Sequence, residues 1–353
     1  MRIIGNPEHA AHDPPFEILD GQVVPYFELP RRVTIIADAL AAAGFPAPEP
    51  PRAAGLEPVK AIHDSDYVEY LRTAYAAWVA EGRSPAAVMP SALPLRGLRT
   101  ATRSAQGRAG IYCFDLSAPI VAGTYGAARV SADAALTGAE LLLEGERAAY
   151  ALCRPPGHHA ARDMAGGYCY LNNAAIAAHQ LARGERSGGD FWGMRPAVVA
   201  VLDIDFHHGN GTQAIFYERS DVFFVSIHGD PHREYPYFLG FADERGARAG
   251  EGYNLNLPLP AGVNDATYMA SLETALEAIA GYGPSYLVIS AGLDTFDGDP
   301  LGDFKLSTSC YARIGARIAQ LGLPTLFVQE GGYAIDALGR NVVSLLSGFE
   351  ARA

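Results

Sequence analysis

The chain has 353 residues, 27 Lys and Arg against 39 Asp and Glu, and hence a formal net charge of −12. Hydrophobic residues make up 49% and charged ones 19%, an ordinary globular composition that argues against global disorder. The acidic balance disfavours a dedicated nucleic-acid binder and suits a small cationic ligand. The opening Met1–Asp13 lacks the apolar core of a secretory signal, and no stretch reaches the roughly 18 apolar residues that a membrane helix needs. Cys113, Cys153, Cys169 and Cys310 show no CxxC spacing, which argues against a four-cysteine zinc site or a disulfide framework. A reduced, cytoplasmic protein without a membrane or nucleic-acid partner is expected.

In chain order, Pro46–Gly55 is rich in Pro and Ala and reads as a surface loop. The stretch from about Gly82 to Pro119 is irregular, rich in Pro, Gly, Arg and Ser, and too long for a simple connector. Ala127, Val130, Ala134, Thr137 and Leu141 then step by three and four, as one face of a helix does. Ala149–Leu152 is the first of several short apolar runs that fit buried parallel strands. Ala174, Ala177 and Leu181 mark another helix, and Arg183–Pro196 reads as a polar insertion. Strand-like runs come next at Ala197–Leu202 and Val222–Ile227, then a helix former at Ala266–Ile279, and further strands at Tyr286–Ser290 and Pro324–Val328. Strand–helix alternation of this length implies an α/β fold with a largely parallel sheet covered on both faces. No composition shift defines a second domain, so one domain over residues 1–353 is expected.

In an open parallel sheet, ligands bind at the carboxyl ends of the strands. The residues just past each predicted strand are therefore informative: Arg154-Pro-Pro-Gly-His158-His159, Asp203-Ile-Asp205-Phe-His207-His208-Gly-Asn210, Ser226-Ile-His228, Asp294, and Glu330-Gly-Gly-Tyr333. Asp205 and His207 alternate, so on an extended segment they share a face. With Asp294 from a neighbouring strand end they make an Asp–His–Asp set suited to a borderline divalent metal such as zinc, with coordination positions left open. Taken singly, each of these residues could equally cap a helix or bond a loop. His158 and His159 could supply general base and acid, with Asp203 and Asn210 as partners for their other nitrogens. Tyr333, after two glycines, could donate to a developing oxyanion, and Gly166-Gly167-Tyr168 could form a channel wall. Cys153 and Cys169 read as packing residues.

These motifs, with Gly166-Gly167-Tyr168-Cys-Tyr-Leu-Asn-Asn and Gly-Leu-Asp294-Thr-Phe, resemble the histone deacetylase superfamily, and more closely its bacterial acetylpolyamine amidohydrolase branch. The resemblance spans essentially the whole chain. It implies the three-layer arginase–deacetylase fold and one Zn2+ per chain held by Asp205, His207 and Asp294. It also implies His159 as general base and acid, His158 as its electrostatic partner oriented by Asp203, Asn210 beside His159, and Tyr333 as oxyanion donor. Gly167, Tyr168 and Tyr235 would line the substrate channel. Structural K+ or Na+ ions would map to Asp203, Asp205, His207, Ser226 and Ile227, and to Phe216, Arg219, Val222 and Tyr253. In that branch the region at about 82–119 closes a homodimer over the tunnel and carries acids that meet the distal amine. Here the matching positions are Gln106 and Ser117, with Asp115 the only acid close by.

The expected activity is removal of acetyl or another short acyl group from a small amine. The alternatives are deacetylation of acetyl-lysine in proteins, hydrolysis of other small amides, and a ligand-binding relative that has lost catalysis. An arginase-like site with two manganese ions would need a D-x-H-x-D run, whereas Asp203-Ile-Asp205-Phe-His207 is D-x-D-x-H.

Overall fold

Strand segments buried on both faces read as unbroken apolar runs, and here they also alternate between two cores. Ala149 and Ala151 face one core with Val199, Val201, Val288, Leu326 and Val328. Tyr150, Leu152, Ala200, Leu202, Leu287, Ile289 and Phe327 face the other, as the two-residue side-chain period of a strand requires. The computed structural model describes residues 1–95, 101–184 and 197–352. Its strands are β1 (Arg2–Gly5), β2 (Glu17–Leu19), β3 (Gln22–Val24), β4 (Ala148–Leu152), β5 (Val199–Asp203), β6 (Val222–Gly229), β7 (Asn254–Leu259), β8 (Tyr286–Ala291) and β9 (Thr325–Gln329). Seven of them form one sheet in the order β1-β4-β9-β8-β5-β6-β7, with every neighbouring pair parallel. β2 and β3 form a separate antiparallel hairpin.

The helices are α1 (Arg31–Ala42), α2 (Glu57–Ile62), α3 (Ser65–Ala80), α4 (Ala105–Ile111), α5 (Thr124–Leu143), α6 (Asn173–Arg183), α7 (Asn210–Phe216), α8 (Asp265–Tyr282), α9 (Thr308–Ala319) and α10 (Ile335–Glu350). Residues of α3, α5 and α6 fill the first core, and those of α1, α8, α9 and α10 fill the second. The result is the three-layer α/β architecture expected from the motifs. None of the helices among the described residues is long and apolar enough to cross a membrane. All four cysteines are free and buried.

The five predicted strands and three predicted helices are present with ends shifted by a few residues. The edge strands β1 and β7 are additions. The region from Gly82 to Pro119 is less irregular than expected, because α4 lies within it and Val88 pairs with Ile120. Ser104 caps α4 by accepting from the Gly107 amide at 3.0 Å. Residues 96–100 of that region, and 185–196 of the polar insertion, lie outside the described residues. Asp203 pairs in register with Ser226 on one side and Ser290 on the other, so β5 and β8 end within one residue of each other while β6 runs on to Gly229. The segments that carry Asp205, His207 and Asp294 leave the sheet from the ends of β5 and β8.

Candidate active site

Asp205 and His207 stand just past the end of β5, and Asp294 just past β8. Their ligand-capable atoms all lie within 4.8 Å of one another. His207 Nδ1 is 3.3 Å from Asp205 Oδ1 and 3.1 Å from Asp294 Oδ2. The carboxylates are held from behind. The Phe206 amide donates to Asp294 Oδ1 at 2.8 Å, and the Gly331 amide to Asp205 Oδ2 at 2.9 Å. A side chain at Gly331 would place its Cβ 2.5 Å from Asp294 Oδ2 and 2.7 Å from Asp205 Oδ2, so only glycine fits between them.

Two buried carboxylates this close are uncomfortable without a cation. Burial, and then Asp205, push the Asp294 carboxyl up to about 7. Burial lowers the His207 imidazole, but Asp205 and Asp294 outweigh it and raise it to about 10. Two carboxylates and an imidazole converging this closely make a donor set that fits one divalent ion. Among the described residues one other metal-capable group is close, His158, Cys169 and Glu330. There the imidazole is taken by Asp203, and Glu330 Oε2 accepts the amides of Gly157 at 2.6 Å and His158 at 3.2 Å. That group braces the histidine turn, and nothing in it resembles the bridged pair of ions of an arginase-like site.

His158 and His159 lie beyond the end of β4, with ring centroids 4.0 Å apart. His158 Nδ1 is 3.0 Å from Asp203 Oδ2, and His159 Nδ1 is 2.7 Å from Asn210 Oδ1. Carboxylate and amide oxygens only accept, so each Nδ1 carries the proton and each Nε2 is left for chemistry. The two rings differ in charge. Burial opposes the charged form of His158, yet Asp205 and Asp203 raise it to about 10. Burial, and then His158 and His207, hold His159 well below the usual range, so it is the neutral ring. Asn172 ties this turn to α6: its Oδ1 caps the helix by accepting from the Ala175 amide at 2.9 Å, while its Nδ2 donates to the Ala160 carbonyl at 3.0 Å.

Tyr333 is buried, and its backbone is fixed by Asp299 Oδ2, which accepts its amide at 2.7 Å and that of Ala334 at 2.9 Å. Arg32, fully buried, donates to the carbonyls of Gly332 at 2.8 Å and Glu330 at 2.6 Å, and its guanidinium lies 5.2 Å from the Tyr333 ring centroid. Glu28 Oε1 pairs with Arg32 at 2.7 Å and with Arg154 at 2.9 Å, which links this loop to the histidine turn. Glu330 opens the Glu330-Gly-Gly-Tyr333 motif, whereas Arg32, Asp299 and Glu28 carry no motif-like spacing that would reveal these roles in the sequence.

A cavity of about 500 Å3 reaches His159, His207 and Tyr333. Tyr168 and Tyr235 line it: Tyr168 lies 5.5 Å from Tyr333, and Tyr235 lies 5.0 Å from His159 by ring centroids. Gly167 adopts φ +51, and a Cβ there would run into His159 and the Tyr235 hydroxyl. Asp115 fastens the walls together. Its Oδ2 accepts from the Tyr235 hydroxyl at 2.6 Å, the Gly167 amide at 2.7 Å and Ser117 Oγ at 2.7 Å.

Other predicted residues lie elsewhere. Ser117 lines the cavity, but Gln106 does not; it sits on α4, where its Oε1 accepts from Arg83 at 3.2 Å. Of the strand-end histidines, His208 and His228 turn away from the cavity. His208 Nε2 is 3.0 Å from Gln213 Oε1, and His228 Nε2 donates to the Gly240 carbonyl at 2.9 Å. In the first expected monovalent-ion set, Ser226 Oγ is already 2.8 Å from His228 Nδ1. In the second, the Phe216 carbonyl accepts the Arg219 amide at 2.9 Å, and the Tyr253 carbonyl accepts the Phe224 amide at 3.1 Å.

One sheet edge thus brings a neutral imidazole, an Asp–His–Asp set and a buried phenol around one cavity. The chain matches the histone deacetylase domain over residues 26–349 and belongs to that family. Within it, the chain is 47% identical over 351 residues to acetylpolyamine amidohydrolase 2 of Pseudomonas aeruginosa, covering 99% of each. It is 43% identical over 352 residues to the acetylpolyamine amidohydrolase of Mycoplana ramosa, again covering 99% of each. The crystal structure of acetylpolyamine aminohydrolase from Burkholderia pseudomallei matches with a TM-score of 0.93 at 41% identity, over 100% of this chain and 99% of that one.

Proposed function

We propose that the protein is a metal-dependent amidohydrolase that removes acetyl or another short acyl group from small cationic amines, acetylated polyamines foremost. The observation that carries this reading is the charge of the cavity. Glu17, Asp20, Asp115, Glu234 and Asp303 line it, and no Lys or Arg does among the described residues. The absence of acids at Gln106 and Ser117 is therefore no bar to a polyamine. A panel of acetylputrescine, acetylcadaverine, acetylspermidine, an acetyl-lysine peptide and neutral amides tests the reading. A clear preference for the peptide or the neutral amides would overturn it.

Asp205, His207 and Asp294 would hold one divalent ion, zinc by the chemistry of the donors. When bound, it supplies Lewis-acid polarisation of the scissile carbonyl and of a water. His159, neutral and with Nε2 free, takes the proton from the attacking water and returns it to the departing amine. His158, held charged by Asp203 and Asp205, favours negative charge developing beside it. The Tyr333 hydroxyl donates to the carbonyl oxygen as it becomes anionic. Tyr168 and Tyr235 keep the acyl-bearing nitrogen aligned and exclude water. The K+ or Na+ sites expected at Asp203, Asp205, His207, Ser226 and Ile227, and at Phe216, Arg219, Val222 and Tyr253, remain part of this proposal. So does a cytoplasmic location, which four free, buried thiols support.

Glu17 reads the free ammonium of the substrate in this scheme. It is buried on the Tyr168 side of the cavity, its Oε1 accepts the Phe27 amide at 3.0 Å, and its Oε2 completes no hydrogen bond. Burial raises its carboxyl to about 7, against the Phe27 amide and the Tyr168 hydroxyl, which favour the charged form. Below that pH it is neutral and attracts no ammonium; above it the charged form does. The ratio of kcat/KM for N-acetylputrescine to that for N-pentylacetamide, its uncharged isostere, should therefore climb as pH rises through about 7. A charge-assisted contact of roughly 1.5–3 kcal/mol makes the climb about tenfold or more. In Glu17→Gln the ratio should be flat; a wild-type ratio already flat from about pH 6 to 8 would remove Glu17 from this role.

A homodimer is proposed as well, joined through the region at about 82–119. Leu93 and Leu95 there are 48% and 72% exposed, apolar side chains that a partner subunit would cover. Light scattering should give twice the chain mass for the wild type and a monomer for Leu93→Asp/Leu95→Asp. A wild-type monomer at micromolar concentration would end the idea.

A further inference from the structure

His208 and His228, turned away from the cavity, carry a polar hub on their far side. Their ring centroids are 4.6 Å apart, and Gly240 rests on both rings. Gly240 adopts φ +110, and a Cβ there would come 2.8 Å from His228 Nε2 and 2.9 Å from His208 Cγ. Glu244 closes the hub. Its Oε2 accepts from the amides of Gly240 at 2.8 Å and Phe241 at 3.1 Å, from Gln213 Nε2 at 2.8 Å and from Asn256 Nδ2 at 3.2 Å. A carboxylate only accepts, which sets the Gln213 amide with its nitrogen toward Glu244 and its oxygen toward Asn254 and Asn256 of β7. The same two asparagines donate to the Glu244 carbonyl at 2.7 Å and the Phe241 carbonyl at 3.1 Å.

The hub joins two parts of the site that face each other. Gln213 belongs to α7, which is locked to the histidine turn. There the Thr212 amide donates to the His158 carbonyl at 3.1 Å, Asn210 holds His159, and Gly211 leaves no room for a Cβ against the Ala160 carbonyl. Gly240 and Phe241 belong to the loop that carries Tyr235, whose ring centroid lies 5.0 Å from that of His159 and 5.9 Å from that of His207. Asp115 ties that ring at its hydroxyl, and Glu244 ties the backbone that leads away from it. Between the two ties Tyr237 and Phe238 are exposed, so side-chain packing does not fix this stretch by itself.

We propose that Glu244 is a positioning residue for the hydrolysis. Through Gly240 and Phe241 it sets the Tyr235 wall against His159, and through Gln213 it refers that wall to the helix that holds the histidine turn. The inference rests on the amidohydrolase reading and adds to it a residue that does not line the cavity. Misplacing an active-site group by about 1 Å can cost about a hundredfold in rate, so such a tie bears on turnover without touching substrate.

The test is a double-mutant cycle on metal-loaded enzyme with N-acetylputrescine, with amide hydrogen exchange of each variant as a readout independent of turnover. Glu244→Ala should lower kcat/KM by about ten- to a hundredfold at unchanged metal content. Its exchange should quicken in the loop at 230–247 and not in the central sheet. All four bonds fall on Oε2, so Glu244→Gln keeps the acceptor in place and should recover most of the loss. In a Tyr235→Ala background Glu244→Ala should cost little more, because the ring it positions is gone; a general loss of folded enzyme would instead cost the same factor in both backgrounds. Equal losses in the two backgrounds, unchanged kcat/KM in Glu244→Ala, faster exchange throughout the sheet, or a Glu244→Gln as impaired as Glu244→Ala would each overturn the inference, while an active wild type keeps the amidohydrolase reading. A wild type that hydrolyses no acylated amine overturns both. Should Glu244→Ala not fold, Glu244→Asp decides the question: it keeps the charge but draws the oxygen back from both amides, and its loss should likewise vanish with Tyr235→Ala.

Discussion

Asp294→Ala is expected to lose bound metal and activity together, with kcat/KM falling about a thousandfold or more. Lewis-acid stabilisation is worth several kcal/mol, and about 4 kcal/mol is a thousandfold in rate. The substitution removes the carboxylate that faces His207 Nδ1 at 3.1 Å, leaving Asp205 and His207 as a two-donor remnant. It also strips the Phe206 amide of its acceptor, Asp294 Oδ1 at 2.8 Å, which costs about 1–3 kcal/mol of stability. Asp294→Asn separates the two effects, because its amide oxygen can still accept from Phe206 while the anionic ligand is gone. Metal content per chain, measured beside the melting temperature, gives the answer. Normal metal content in Asp294→Ala would show that the ligand assignment is wrong.

Tyr333→Phe should lower kcat by about a hundred- to a thousandfold, the cost of removing one oxyanion donor, with metal content unchanged. The ring stays in place because Asp299 and Arg32 hold the backbone of its loop, and neither contact involves the hydroxyl. Burial pushes the phenol well above its usual range, so it remains protonated and able to donate throughout the working pH. The loss should appear in kcat far more than in KM, since the contact strengthens only as the carbonyl oxygen gains charge. A variant with wild-type kcat would assign the oxyanion to other donors.

The parts of this site legible in the sequence share one property. They come directly after short apolar runs that become fully buried strands, so a change from apolar to polar marked each exit from the sheet. β1 escaped because Arg2-Ile-Ile-Gly offers only two apolar residues at an edge. β7 escaped because Asn254 and Asn256 interrupt its apolar pattern: both are buried and donate to Gln213 Oε1, at 3.1 and 2.8 Å. The strand-end rule located His208 and His228 at the right level, yet their rings turn toward Gln213 and Gly240, a matter of local backbone direction. Glu234 and Asp303 carry no signal of their own in the sequence. Each sits in a different segment outside the main sheet, and only the fold brings them to one cavity. Arg32 reaches the Tyr333 loop across 300 residues of sequence, a pairing that no local spacing encodes.

Asp115 also bears on how the channel can evolve. Its Oδ2 takes hydrogen bonds from Tyr235, Gly167 and Ser117, so the chemistry of one wall is tied to a residue on another. Exchange of Tyr235 for Phe would keep the ring but withdraw one of the donors that the Asp115 carboxylate relies on. Loss of Asp115 first would leave the Tyr235 hydroxyl and the Gly167 amide without their acceptor. Neighbours that share a hydrogen-bond network are not additive. The order of substitutions therefore matters, and a lineage seeking a less polar channel meets a lower barrier by changing both positions together than by passing through either single mutant.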